Sequence, residues 1–272
     1  MLRFLSLLFF SSLGLAQELP PGAFARLGGT ALRHPERPLA FAFRAGTTEL
    51  ASLGSDGTVR IWDTITGKEL HVLRKKDSQA NGMAVSANGA FLAVHFGESQ
   101  LRIYDAAKKY ELSNNASVKM LEGMTITNDG KLVGGMHLGK PMIFETANGL
   151  ERMELPDGTA VAVAPDGKSV AVALKDFEYV VEVYEVPSGK KILRMLRPGT
   201  PKANITSIAY APDSRTLAMA SDTDAPPTVL FTLGKEELIA KIDGSGPVAF
   251  ANADSLCVRT RIGTPEAKTL LK

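Results

Sequence analysis

The chain has 272 residues, with 31 lysines and arginines against 29 aspartates and glutamates, and the basic residues are spread along its length. A net charge of +2 without a concentrated basic face argues against nucleic acid as a partner. The single cysteine, Cys257, excludes an internal disulfide, so stability must come from the substantial core that a chain of this length can bury.

At the N-terminus, Met1-Leu2-Arg3 leads into an apolar run from Phe4 to Leu15, and Gly14 and Ala16 precede Gln17-Glu18. This is the layout of a secretory signal peptide, with cleavage expected after Ala16. A membrane anchor is the competing reading, but the run is well short of the roughly 20 residues a helix needs to cross a bilayer. No later run is long enough either, so the mature protein is expected to be soluble and extracytoplasmic, periplasmic or secreted. Near the other end, Cys257 lies in the apolar run Ser255 to Val258 and reads as a buried, inert thiol rather than a nucleophile.

From Pro38 the sequence repeats with a period of about 40 residues, the period of β-propeller blades. Each unit opens with a strand: Leu39 to Phe43, Gly82 to Val85, Met124 to Thr127, Ala160 to Ala164 and Ile205 to Ala211. Hairpin turns follow at Ala45-Gly46, Asn88-Gly89, Asn128-Asp129-Gly130, Pro165-Asp166-Gly167 and Pro212-Asp213-Ser214, residue types that tolerate the positive φ of tight hairpins. Second strands, such as Leu50 to Gly54, Phe91 to His95 and Ser169 to Leu174, precede a third strand that ends in an aromatic: Trp62, Tyr104, Phe144, Tyr184 or Phe231. Another turn, as at Thr66-Gly67-Lys68 or Ser188-Gly189-Lys190, leads to a fourth strand such as Glu69 to Leu73 or Lys191 to Leu196.

A four-stranded antiparallel blade cannot bury both faces alone, so the units must stack around an axis. The expected fold is all-β, a propeller of six blades. The sixth unit, with strands at Val248 to Ala251, Ser255 to Thr260 and Ala267 to Leu271, lacks an outer strand, which Phe24 to Leu32 is expected to supply, closing the ring. The chain then divides into a signal peptide at 1–16, an N-terminal segment with the ring-closing strand at 17–37, and the propeller at 38–272. An open or truncated ring, a piece of a longer gene product, is the alternative and would expose a strand edge.

The stretch from Leu50 to Asp63, LASLGSDGTVRIWD, reads as strand, tight turn, strand and ends in the pair Trp62-Asp63. It resembles a WD-repeat blade, and the chain is similar to a bacterial-type exported WD-repeat β-propeller with divergent repeats. The resemblance implies a structural hydrogen-bond set in the first blade: His34, at the spacing of the family's Gly-His histidine with Arg33 in place of the glycine, then Ser52, Asp56 and Trp62. In that set Asp56 orients the imidazole of His34, which bonds the Ser52 hydroxyl, which meets the Trp62 indole. A Ser/His/Asp nucleophilic site is the competing reading, but Trp62 would cap the hydroxyl and the resemblance implies a structural role. The second blade departs from the pattern, with Val94, Glu98 and Tyr104 where Ser52, Asp56 and Trp62 stand and no histidine at the matching position near Lys76.

Metal chemistry finds little support, because His34, His71, His95 and His137 fall in different units. Asp222-Thr223-Asp224 lacks the further ligands of a calcium loop and reads as a solvated turn. Gly28-Gly29 and Gly134-Gly135 lack the setting of a phosphate loop, and no cofactor is expected. Asn115-Ala116-Ser117 and Asn204-Ile205-Thr206 match glycosylation acceptors, of consequence only in a host that glycosylates exported chains. The innermost strands are small and apolar, as in Met83-Ala84-Val85 and Val161-Ala162-Val163, which argues against chemistry in a central channel and for a protein that is not an enzyme.

These features point to an exported scaffold whose loops bind a protein partner not identified by the sequence. The resemblance places the binding loops at the end carrying His34 and Asp56: the links Arg74 to Gln79 and Arg197 to Asn204, and the turns between second and third strands. Candidate partner-binding residues are Arg37, Lys76, Glu98, Asp176, Phe177, Tyr179, Arg197, Asp222 and Asp224. The enlarged turn Lys175 to Tyr179 mixes aromatics with charges as an interface anchor does, although Phe177 and Tyr179 could equally cover a blade edge. Two alternatives stay open, a propeller enzyme or small-ligand binder using the channel, and a truncated accessory segment of a larger envelope assembly. Oligomeric state is likewise left open.

Overall fold

The computed structural model describes residues 35–175, 180–196, 204–221, 228–234, 237–242, 245–252 and 255–259. Among them every regular element is a β-strand. Blade 1 is the sheet of β1 (Pro38–Phe43), β2 (Glu49–Gly54), β3 (Val59–Asp63) and β4 (Glu69–Leu73); blade 2 follows with β5 (Ala80–Val85), β6 (Phe91–Phe96), β7 (Gln100–Asp105) and β8 (Glu111–Ser117). Blade 3 has β9 (Glu122–Ile126), β10 (Leu132–His137) and β11 (Lys140–Glu145). Blade 4 has β12 (Gly158–Val163), β13 (Ser169–Leu174), β14 (Val180–Glu185) and β15 (Lys191–Leu196), and blade 5 has β16 (Ile205–Tyr210), β17 (Thr216–Ser221), β18 (Thr228–Thr232) and β19 (Glu237–Ile242). A sixth, two-stranded sheet joins β20 (Ser245–Asn252) to β21 (Ser255–Arg259). Strands within each sheet pair antiparallel with their sequence neighbours, as the repeat predicts.

The hairpins form where the turn residues allow them. Asn88, Asp129, Asp166 and Asp213 each accept, through side-chain Oδ1, the backbone N–H two residues on, at 2.8–3.0 Å. This local bond pre-shapes the turn. In the fifth unit Ser214 takes φ of 58° at the place where the fourth unit uses Gly167.

Side chains alternate between the two faces of each blade, and among the described residues the seams from blade 1 through to the sixth sheet are buried. Leu53 and Ile61 of blade 1 pack with Leu92, Phe96 and Tyr104 of blade 2. The opposite face of blade 2, with Leu101 and Ile103, meets Met124, Ile126 and Val133 of blade 3. Ile143 packs with Val161, Val163 and Val172, while Val181 and Val183 pack with Ile208, Leu217 and Met219. Ala218 and Leu230 carry the stacking on to Val248 of the sixth sheet. The innermost strands therefore follow one another around an axis.

At one end of that axis the first hairpin turns are tied from blade to blade. Arg44 Nε donates to Gly89 O at 2.8 Å, and Asn88 N donates to Asn128 Oδ1 at 2.9 Å. Asn128 N then donates to Pro165 O at 2.7 Å, and Asp166 N to Ser214 Oγ at 3.0 Å. These bonds form a polar collar across blades 1 to 5.

Blade 3 corrects the expectation of four strands in every unit. Its outer strand is reduced to the bridge between Phe144 and Glu151 and the bond from Arg152 N to Ile143 O, 2.8 Å. Glu145 and Ile143 point their backbone groups outward, and the next outward-pointing residue is Pro141, which has no N–H to continue a ladder. Met153 and Leu155 still pack against the seam with blade 4. The segments expected to close the ring, Phe24 to Leu32 and Ala267 to Leu271, lie outside the described residues, as does the signal-peptide region.

Candidate functional site

The end of the propeller opposite the collar carries the β2–β3 type turns and the links between blades. There Ser55 N donates to Arg37 O at 2.9 Å, Ala80 N to Gly57 O at 2.8 Å, and Gly97 N to Gln79 O at 2.9 Å. This chain of backbone bonds fastens the entry to β1, the β2–β3 turn, the Arg74 to Gln79 link and the β6–β7 turn together. Arg37, Lys76 and Glu98 are therefore on one end of blades 1 and 2, and all three are exposed. Asp176, Phe177, Tyr179, Arg197, Asp222 and Asp224 lie outside the described residues.

Below these loops, Trp62 Nε1 donates to Ser52 Oγ at 2.8 Å, with both residues buried. Asp56 Oδ1 accepts from Thr58 N at 3.0 Å and from Thr58 Oγ1 at 2.9 Å, and its Oδ2 is 3.9 Å from the Arg60 guanidinium. His34 lies outside the described residues.

Several polar groups to which the sequence assigned no partner are held tightly. His95, in the middle of a blade, is fully buried; its Nε2 is 2.9 Å from Val118 O and its Nδ1 3.1 Å from Asn81 Oδ1. Burial lowers its pKa, opposed by the carbonyls of Val118, Gly97 and Lys119. His137 Nδ1 donates to Met120 O at 3.0 Å, so two histidines clasp the link from blade 2 to blade 3. In blade 4, Glu182 is buried beside the Tyr184 hydroxyl, with Lys191 Nζ at 3.0 Å and Arg194 Nε at 3.7 Å. Burial raises the Glu182 pKa, but the Tyr184 hydroxyl and the two cations outweigh it and hold the carboxyl below its usual range. Alternation along the third strand was the available signal for Arg60 and Glu182, since each lies two residues before an aromatic.

The axial channel has a volume of about 580 Å³ and is lined largely by apolar side chains, among them Leu39, Phe41, Met83, Ile126 and Phe250. Leu39 and Phe41 are half exposed in it. Among the described residues no cluster of three or more histidines, cysteines or carboxylates could hold a metal ion, and no helix is long and apolar enough to cross a membrane.

The family model of the WD domain, G-beta repeat, matches residues 34–63. Those residues run from His34 through β1 and β2 to the end of β3 at Asp63. No curated protein matches the chain. The chain thus carries a WD repeat in its first blade, and the same antiparallel strand order in the sheets that follow gives it an all-β propeller fold.

Proposed function

We propose that this protein is an exported, non-catalytic scaffold that binds a protein partner through the loops at the Arg37, Lys76 and Glu98 end of the ring. One observation carries the reading: the strands are committed to pairing and stacking, whereas at that end the loops are fastened to one another and present exposed charges. Loops held in place lose little entropy on binding, which favours recognition over chemistry. A WD repeat suggests an interaction scaffold in general, and the layout of residues 1–16 supports export.

The test is affinity capture from the host's extracytoplasmic fraction with protein beginning at Gln17, beside a variant with Arg37, Lys76 and Glu98 changed to Ala. Loss of a captured protein in the folded variant supports the reading. Retention moves the surface elsewhere, and a chain found only in the cytoplasm sinks the export part. The apolar channel favours a second reading, an apolar small ligand seated against Leu39 and Phe41. Loss of a bound apolar dye's fluorescence in Phe41→Ala, with the captured protein retained, would separate the two.

A further inference from the structure

In three blades the residue two positions before the third-strand aromatic is charged: Arg60 before Trp62, Arg102 before Tyr104 and Glu182 before Tyr184. Each pairs with the middle of its second strand, at Ser52, Val94 and Val172. Blades 1 and 4 answer that charge from within. Arg60 has Glu69 on its outer strand and Asp56 in the turn above, and Glu182 has Lys191 and Arg194.

Blade 2 withholds the counter-charge. Among the described residues Arg102 has no carboxylate within ion-pair distance; Glu98 and Glu111, nearest in the repeat to Asp56 and Glu69, are exposed and not bonded to it. Its guanidinium is nevertheless fixed, 5.6 Å from the centre of the buried Phe96 ring. Arg102 Nε is sealed from solvent without an acceptor, as Arg60 Nε is, but among the described residues only blade 2 adds a second such group on the same strand face, Gln100 Oε1, which is sealed without a donor. That face lies in the seam with blade 1, where Tyr104 and Phe96 pack against Leu53 and Ile61. Over the seam runs the link carrying Arg74, Lys75 and Lys76, which likewise have no ion-pair partner among the described residues.

We propose that the top of the seam between blades 1 and 2 is a binding site for an acidic peptide segment, with Arg102 as its anchor. The proposal rests on the scaffold reading and names the chemistry of the partner. The guest supplies the carboxylate that blade 2 lacks, in the two-pronged geometry a guanidinium favours. Arg74, Lys75 and Lys76 attract neighbouring acidic residues of the same segment.

The probe is fluorescein-labelled hexaglutamate, followed by anisotropy with wild type, Arg102→Met, Arg102→Lys and Lys131→Ala. Lys131 is 80% exposed on a hairpin at the opposite end and reports general charge attraction. The expected result is salt-sensitive binding that falls roughly tenfold or more in Arg102→Met, is poorly rescued by Arg102→Lys, and is unchanged in Lys131→Ala. No binding by wild type, or equal losses in Arg102→Met and Lys131→Ala, overturns the site. Should Arg102→Met not fold, the Arg102 Nε–H resonance of wild type must shift on adding hexaglutamate, and an unmoved resonance overturns the proposal. If hexaglutamate fails while the loop variant still loses its captured protein, the seam site falls and the scaffold reading stands.

Discussion

The Trp62 indole and the Ser52 hydroxyl meet at 2.8 Å in the buried middle of blade 1, joining its second strand to its third. Ser52→Ala leaves a buried N–H without an acceptor, at a cost of about 1–3 kcal/mol. Trp62→Phe removes the same bond from the other side and shrinks the side chain. In a double-mutant cycle by urea unfolding, the two losses should fall short of additive by about 1 kcal/mol. Strict additivity would mean that the bond contributes nothing.

His95 gives stability a pH dependence with a defined sign. Burial lowers its folded pKa, so the folded protein holds the ring neutral, while the unfolded chain takes up a proton as pH falls through about 6.5. The contribution is complete above that value and is lost below it. Urea midpoints should fall between pH 7.5 and 5.5, and His95→Gln should flatten that part of the profile. An equal slope in the variant assigns the dependence to other groups.

Two glycines separate backbone strain from collision. Gly139 has φ of 79° with open space around a Cβ, and Gly139→Ala should cost only the roughly 1–2 kcal/mol of a left-handed alanine. Gly149 has φ of 73°, but its Cβ would sit 2.2 Å from Ser117 O in the neighbouring blade. Gly149→Ala should lower Tm clearly more than Gly139→Ala. Equal shifts would show that blade 2 yields there freely.

In the β16–β17 hairpin, burial raises the Asp213 pKa, but the amides of Arg215 and Thr216 and the Thr216 hydroxyl outweigh it and leave the carboxyl below its usual range. Its stabilising effect is present above about pH 3.8 and is lost as the pH falls through the lower folded value. Asp213→Ala should cost about 1 kcal/mol at neutral pH and much less in strong acid. Chemical denaturation at both pH values checks this.

The repeat of strands was legible because it is written locally, in Asn-Gly and Asp-Gly turns and in one aromatic per third strand. The outer edge of blade 3 was not, because Leu150 to Leu155 resembles a strand and what stops the ladder is Pro141 in its pairing partner. The same distinction governs the polar groups. Ser52 and Trp62 sit on adjacent strands of one hairpin, as do His95 and Asn81, whereas the other acceptor of His95, Val118 O, lies two turns further along the chain. Arg102 was overlooked because its character depends on what the Arg60 position has and its own surroundings lack.

The shortened edge of blade 3 also sets an order of opening. A strand held on both sides releases its amides to solvent only when two ladders break, whereas β11 is held by β10 and, beyond it, by a single bridge. In deuterium exchange its outward amide at Ile143 should therefore label well before those in the middle of β3, β7 and β14. Among the described strands of blades 1 to 5, this edge in the middle of the chain is then the first to loosen.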